Sequence, residues 1–361
     1  MEPRSQTAPR LFTSSEGRGA YVAFQECTRV RKEMKTMLAP HMPSRLIAAF
    51  TLVALAAGCA GGAPVSPQMP AAKAPFAFAG PLAQHYGDDW MFTAQLYGDD
   101  LGVYQRNKNG FGLTLKKTLT TGISLPQGMM STVNGWWYVA NGGHSNVLVY
   151  QVKKNAGPPD SPSATLDDYG QVPVNVAVTP NRNLVAVSNG TSASSGAGSV
   201  SVYLKRQAEP SRTLTYGSDV LAGQGVAIDH QGNCYWSFND PNTNSGSIVE
   251  FAKCNGSGSP VVTGIGEAGG IVFDQSGDLY YVDESKGVYA CKKTSHCVLT
   301  YANGPSGFGL PTNINFDYKS KDLWVADATG YIWAIEIRTG YMFRTPSLDG
   351  DPYGIAPDPG S

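Results

Sequence analysis

From Trp90 onward the chain alternates short runs of strand-favouring residues with polar breaks. WWYVAN (136–141), LVAVSN (184–189) and DLWVAD (322–327) have the length and the Val, Tyr and Trp content of strands, and each ends on Asn or Asp. Between the runs, NG, SGD and HQGN supply turn residues, because Gly accepts positive φ and Asn or Asp closes a local turn with its side chain. No stretch of the body carries the longer apolar period of an amphipathic helix.

The runs recur as one unit: an apolar run, a polar turn, a second apolar run ending in Asn or Asp, a loop, then a third alternating run. Copies start at Gly128, Asn175, Gly225, Gly270 and Asn313, 43 to 50 residues apart. That period is the one expected of four short antiparallel strands. One such sheet cannot bury its own face, so the repeats must stack. The pattern predicts an all-β fold, a six-bladed β-propeller over residues 88–361. The sixth blade is split: Gly354 begins GIAPDP, a first strand alone, while Trp90–Arg106 and Gly112–Leu119 supply the other three. Pairing the two chain ends closes the ring and removes free sheet edges. A seventh, degenerate blade hidden in Lys153–Val172 is the competing reading.

The N-terminal part is of another kind. Leu46–Ala57, LIAAFTLVALAA, follows Arg45 and ends in Ala56-Ala57-Gly58-Cys59. It is too short to span a bilayer as a standard helix and has the basic, apolar and small-residue order of an export signal. It resembles a bacterial lipoprotein signal, 42–58, which implies lipidation at Cys59 and a membrane anchor. Ala60 lacks the aspartate tied to inner-membrane retention, so the resemblance implies a cell-envelope location on the periplasmic side of an outer membrane. Residues 1–41 read as a non-native or disordered extension, since a start at Met42 gives a compact signal. Residues 59–87, rich in Ala, Pro and Gly, read as a tether.

The repeats resemble the NHL-repeat and SMP-30/gluconolactonase-like (TolB-like) six-bladed propellers, most clearly at Gly225–Phe251 and Gly270–Tyr289. In that family a divalent cation sits in the central channel, held by acidic and Asn side chains. Asn175 fits such a position, making it the metal candidate, with Ca2+ or another divalent cation as the implied cofactor. Gln224 stands where an acidic ligand is expected, and Gly269-Gly270 offers no side-chain oxygen.

Charge narrows the function classes. With 27 basic and 28 acidic residues, the formal net charge is -1, which gives no field for nucleic acid. No P-loop, dinucleotide fingerprint or G-x-S-x-G elbow occurs. In a propeller the loops leading into first strands and those joining second to third strands share one face. That puts Gln127, Asn175, Gln224, Gly269, Asn313 and Tyr353 near the axis. The other loops bring Asp99, Asp100, Asn141, His144, Asn189, Asn239, Asp240, Asp283, Glu284 and Asp327 to the same face. The face is oxygen-rich and suits a hard cation or a polar ligand, although Asn and Asp at strand ends are also ordinary turn formers. The recurrent Trp137, Trp236 and Trp324 read as packing between blades.

Four cysteines remain in the body. Cys234 with Cys254, and Cys291 with Cys297, are spaced as hairpin staples in an oxidising compartment. A metal site using Cys291, His296 and Cys297 is the alternative use, without the second ligand pair a zinc site needs. The expected function is binding or scaffolding at the envelope, for a small molecule, glycan or envelope protein. The alternative is a divalent-metal-dependent lactonase or ester hydrolase acting in the central channel.

Overall fold

The computed structural model describes residues 90–357, apart from 107–111, 133, 153–156, 191–196, 218–220, 305–306, 318–320 and 349. The signal, the tether and Cys59 lie outside the described residues. Within them the chain forms six four-stranded antiparallel sheets. Their inner strands follow one another round a ring, each touching the next and the last touching the first. The chain is a six-bladed β-propeller.

The inner strands are Pro126–Ser131, Pro173–Val178, Ala222–Ile228, Ala268–Phe273, Pro311–Phe316 and Pro352–Pro357. The first five open blades one to five, and Pro352–Pro357 opens the closing blade. There it pairs with Trp90–Gln95, which continues into Asp100–Arg106 and Leu113–Leu119. Thr93 stands opposite Ile355, and Phe92 opposite Ala356. The expected union of the chain ends is therefore present. The segment of the competing seven-bladed reading instead contributes Ala164–Asp167, the fourth strand of the first blade.

Six apolar clusters hold the ring, one at each blade-to-blade contact. Strands such as Pro311–Phe316 are buried along their whole length because both faces of the sheet meet a neighbour. Trp137, Trp236 and Trp324 are fully buried. Trp137 packs on Phe92 of the closing blade with ring centroids 3.8 Å apart, and Trp236 donates to Ser188 Oγ of the second blade at 3.0 Å.

At one repeated position four of the six inner strands carry glycine and two carry asparagine: round the ring it reads Gly128, Asn175, Gly225, Gly270, Asn313 and Gly354. A Cβ at Gly354 would stand 1.9 Å from the Gln127 carbonyl oxygen, and one at Gly128 would stand 2.6 Å from Asn175 Cγ. Glycine is required here for contact between neighbouring blades, and each Asn fills the room its neighbouring glycine leaves.

Both body disulfides are present, Cys234–Cys254 and Cys291–Cys297. Cys291 and Cys297 are cross-strand partners. Cys234, by contrast, pairs in register with Phe251, while Cys254 sits in the short 3-10 turn Ala252–Cys254 that follows. The bridge fastens that turn to the strand, where a direct hairpin pairing had been expected.

Candidate functional site

The loops leading into the inner strands meet at one end of the central channel. Gln127, Asn175, Gln224, Asn313 and Tyr353 line a cavity of about 40 Å³ there, with Thr312, Glu284 and the glycines 269 and 270. That is room for about three water molecules. Each blade contributes to the rim. The fourth blade offers only glycines from its inner strand, and Glu284, from the loop joining its second and third strands, fills the gap.

Asn175 and Asn313 belong to the second and fifth blades, which are opposed in a ring of six. Both side chains are nearly buried. Asn175 Oδ1 accepts the N–H of Val176 at 2.7 Å, which fixes the amide orientation at the rim. Thr312 Oγ1 is engaged with the carbonyls of Ala326 and Tyr353, both at 3.3 Å. Tyr353 meets Tyr97 edge-on, with centroids 6.0 Å apart, giving the rim an aromatic side.

Among the described residues, Glu284 is the single carboxyl lining the rim. Burial pushes it well above the usual carboxylate range, and the negative Glu267 and Asp283 beside it push the same way. Glu267 is raised too, by burial and then by Asp283. Asp283 goes the other way. Burial favours its neutral form, but hydrogen bonds from Ser285 and from the amides of Gly266 and Glu267, with Lys286 alongside, hold it below the ordinary value.

Below the rim the channel becomes apolar. Met129, Val176, Val226, Ile271 and Ile314 line a second cavity of about 60 Å³, and Asn175 borders both spaces. Asn315 crosses this region. Its Nδ2 donates to the Met129 carbonyl at 3.3 Å and the Ile355 carbonyl at 3.4 Å, tying three blades together inside the channel.

Apart from Glu284, the second group of expected site residues lies on this face but is engaged, mostly with backbone; Asn189 instead donates through Nδ2 to the side chains of Gln171 at 2.8 Å, Ser201 at 3.0 Å and Ser199 at 3.2 Å. Asn141 Oδ1 accepts the Ser124 N–H at 2.7 Å, and Asn239 Oδ1 accepts that of Ala268 at 2.8 Å. Asp283 accepts the Gly266 N–H at 2.9 Å; Asp327 accepts those of Gly309 and Leu310 at 2.8 and 2.9 Å, and Trp333 Nε1–H at 3.0 Å. Asp240 closes its own turn through the Asn242 N–H at 2.8 Å. These Asn and Asp side chains satisfy the N–H groups of loops where strand ladders end. His144 is exposed and contacts the Gly122 carbonyl at 3.2 Å, outside the rim. The convergent set is therefore Gln127, Asn175, Gln224, Asn313 and Tyr353 with Glu284.

A divalent cation in this mouth would have one carboxyl and several amide oxygens. Among the described residues, no group of three or more His, Cys, Asp or Glu is placed to hold a metal ion. The environment of Glu284 opposes the ionised form that a hard cation needs. The donor set falls short of a closed calcium site.

No family model matches the chain, and no curated protein matches it. Solved structures do. Hydrazine synthase of Kuenenia stuttgartiensis is 12% identical with a TM-score of 0.51, covering 78% of this chain and 93% of that one. A putative 6-phosphogluconolactonase from Bacteroides fragilis is 14% identical with a TM-score of 0.50, over 74% and 97%. Regucalcin, a calcium-binding protein from Agrobacterium tumefaciens, is 12% identical with a TM-score of 0.47, over 65% and 79%. At these identities the likeness extends to the propeller fold alone.

Proposed function

We propose that this protein is an exported binding module that takes a small hydroxyl- or carbonyl-bearing ligand, a glycan end or sugar acid, at the channel mouth. The observation that carries this reading is the convergence of four uncharged amide side chains, Gln127, Asn175, Gln224 and Asn313, round one small cavity. An amide both donates and accepts, as a sugar hydroxyl does, so the rim matches hydroxyls without the desolvation cost of charge. The Tyr353 and Tyr97 rings supply an apolar flank of the kind that packs on sugar C–H faces. The mouth admits one substituent, and the body of the ligand lies over the rim. The N-terminal segment supports display at the envelope, with lipid on Cys59. Labelling cells with radioactive palmitate tests this: the protein takes up label, and Cys59→Ser abolishes it.

Calorimetric titration with hexoses, hexuronic acids, their lactones and disaccharides tests the ligand class. One of these binds with saturable heat, and Asn175→Ala weakens it about 10-fold, the value of one lost hydrogen bond in a desolvated site. No saturable heat across the panel overturns the reading.

A second reading is a divalent-metal-dependent lactonase or ester hydrolase. Glu284 favours it, as a carboxyl with a raised pKa beside amide oxygens in a channel mouth. Stoichiometric Ca2+ or Mn2+ binding together with lactone turnover, both lost in Glu284→Gln, would select this reading over the first.

A further inference from the structure

The channel changes character over a single residue of its inner strands. Gln127, Asn175, Gln224 and Asn313 line the mouth with uncharged amides. Directly after Asn175 and Asn313 in the chain come Val176 and Ile314, and Ile271 follows Gly270. With Met129 and Val226 these residues line the deeper cavity of about 60 Å³. Asn175 borders both spaces, so the polar room and the apolar one adjoin. Successive strand residues lie about 3.3 Å apart, which brings the change of polarity within the length of one small substituent.

Besides Asn175, Asn315 is the one polar side chain lining the deeper space among the described residues. It is already engaged: its Oδ1 accepts the Phe316 N–H at 3.0 Å, and its Nδ2 donates to the Met129 and Ile355 carbonyls. A methyl group placed there gains apolar contact, whereas a hydroxyl would give up its hydrogen bonds to water. Charge is disfavoured at the mouth as well. No Lys, Arg or His lines it among the described residues, and Glu267 and Asp283 oppose an anion beside Glu284. Burial and these two neighbours hold Glu284 itself toward its neutral form. The substituent that fits is therefore uncharged, polar where it meets the rim and apolar at its tip.

We infer that this substituent is an acetamido group and that the ligand is an N-acetylated hexosamine; the inference rests on the reading of the mouth as a polar-ligand site. The C=O and N–H of the acetamido group meet the rim amides, and its methyl enters the apolar neck. Asn175 Oδ1 is taken by the Val176 N–H, so Asn175 presents its NH2 to the ligand carbonyl. The nitrogen, carbon and oxygen of the group occupy the room of about three water molecules. A plain hexose leaves the neck without an apolar occupant, and a hexuronate brings its charge toward Glu267 and Asp283.

The test is calorimetric titration of the purified full-length protein with glucose, galactose and mannose, each beside its 2-acetamido counterpart. At least one acetamido sugar binds about 10-fold tighter than its parent, the effect of one further hydrogen bond in a desolvated site. Its N-formyl analogue binds about fourfold more weakly than the N-acetyl form, the effect of one buried methyl group. Intermolecular nuclear Overhauser effects connect the acetyl methyl with the methyls of Ile271 and Ile314. Parent hexoses that bind as tightly as their acetamido counterparts overturn this inference and leave the polar-ligand reading standing. An acetyl methyl that contacts only residues outside the channel overturns it too. No saturable heat with any of the sugars overturns both.

Discussion

Ser131 and Pro357 are 226 residues apart in the chain, yet Ser131 Oγ donates to the Pro357 carbonyl at 2.5 Å. The contact joins the first blade to the last strand and marks how the ring is held. Pro352–Pro357 pairs with Trp90–Gln95 on one side and packs on the inner strands of its neighbours, with Ile355 and Ala356 fully buried.

Removing residues 352–361 therefore costs far more than trimming a tail. Exposing Ile355 and its apolar surroundings costs about 2–3 kcal/mol, and the lost ladder bonds cost about 1 kcal/mol each. A fall in Tm of at least roughly 10 °C follows. Differential scanning calorimetry checks it, and a truncated chain that melts like the full one would contradict closure by the C-terminal strand.

Gly354→Ala probes the same seam with one methyl group. The new Cβ would stand 1.9 Å from the Gln127 carbonyl oxygen and 3.1 Å from Ala94 Cβ. Backbone on a packed inner strand yields little, so the expected loss is about 3 kcal/mol. Urea denaturation at unchanged m-value measures it.

The two bridges differ in what they contribute. Cys234 and Cys254 are separated by 20 residues, Cys291 and Cys297 by 6. Loop-closure entropy gives the longer loop about 3 kcal/mol and the shorter about 2 kcal/mol. Cys234→Ser with Cys254→Ser should thus lower Tm more than the other paired replacement. In dithiothreitol, Cys291–Cys297 reduces first, because Cys297 is partly exposed while both partners of the other bridge are buried.

Asp322 sets a pH dependence. It is buried, neither carboxyl oxygen has a hydrogen bond, and Arg106 Nη1 stands 4.0 Å away. Burial, and then the negative Asp317, raise its carboxyl to about 7. Below about pH 4 the group is protonated in folded and unfolded chains alike. Between there and about 7 the folded chain holds the extra proton, so this group's stabilisation is lost as pH rises through that window. Asp322→Asn should flatten the profile and raise stability at pH 8 by a few kcal/mol. Part of the slope remains, because Asp168 shifts in the same direction. Unfolding free energies at pH 5 and pH 8 check this.

The ring and its closure are legible in the sequence because each inner strand carries the same signature, a Gly or Asn followed by apolar residues. Gly354-Ile355-Ala356 repeats that signature without a blade behind it and so announces its own partner. The rim was legible for the same reason, since Gln127, Asn175, Gln224, Asn313 and Tyr353 occupy two adjacent repeat positions. Which strand-end Asn and Asp are engaged was not legible. Asn141, Asn239, Asp283 and Asp327 answer to backbone N–H groups of loops, and loop paths have no periodic signal. Asn315, Asp168 and Asp322 were missed because nothing in the linear pattern distinguishes a buried polar side chain inside an apolar run, or at its edge, from a turn residue.

The most direct measurement is NMR of the side-chain NH2 groups of Gln127, Asn175, Gln224 and Asn313 while hexoses, hexuronic acids and their lactones are titrated in. A ligand of the mouth shifts all four pairs along one saturation curve, and Asn175→Ala displaces that curve to higher concentration for the remaining three. Resonances that stay fixed throughout the panel would contradict a polar-ligand site at the channel mouth.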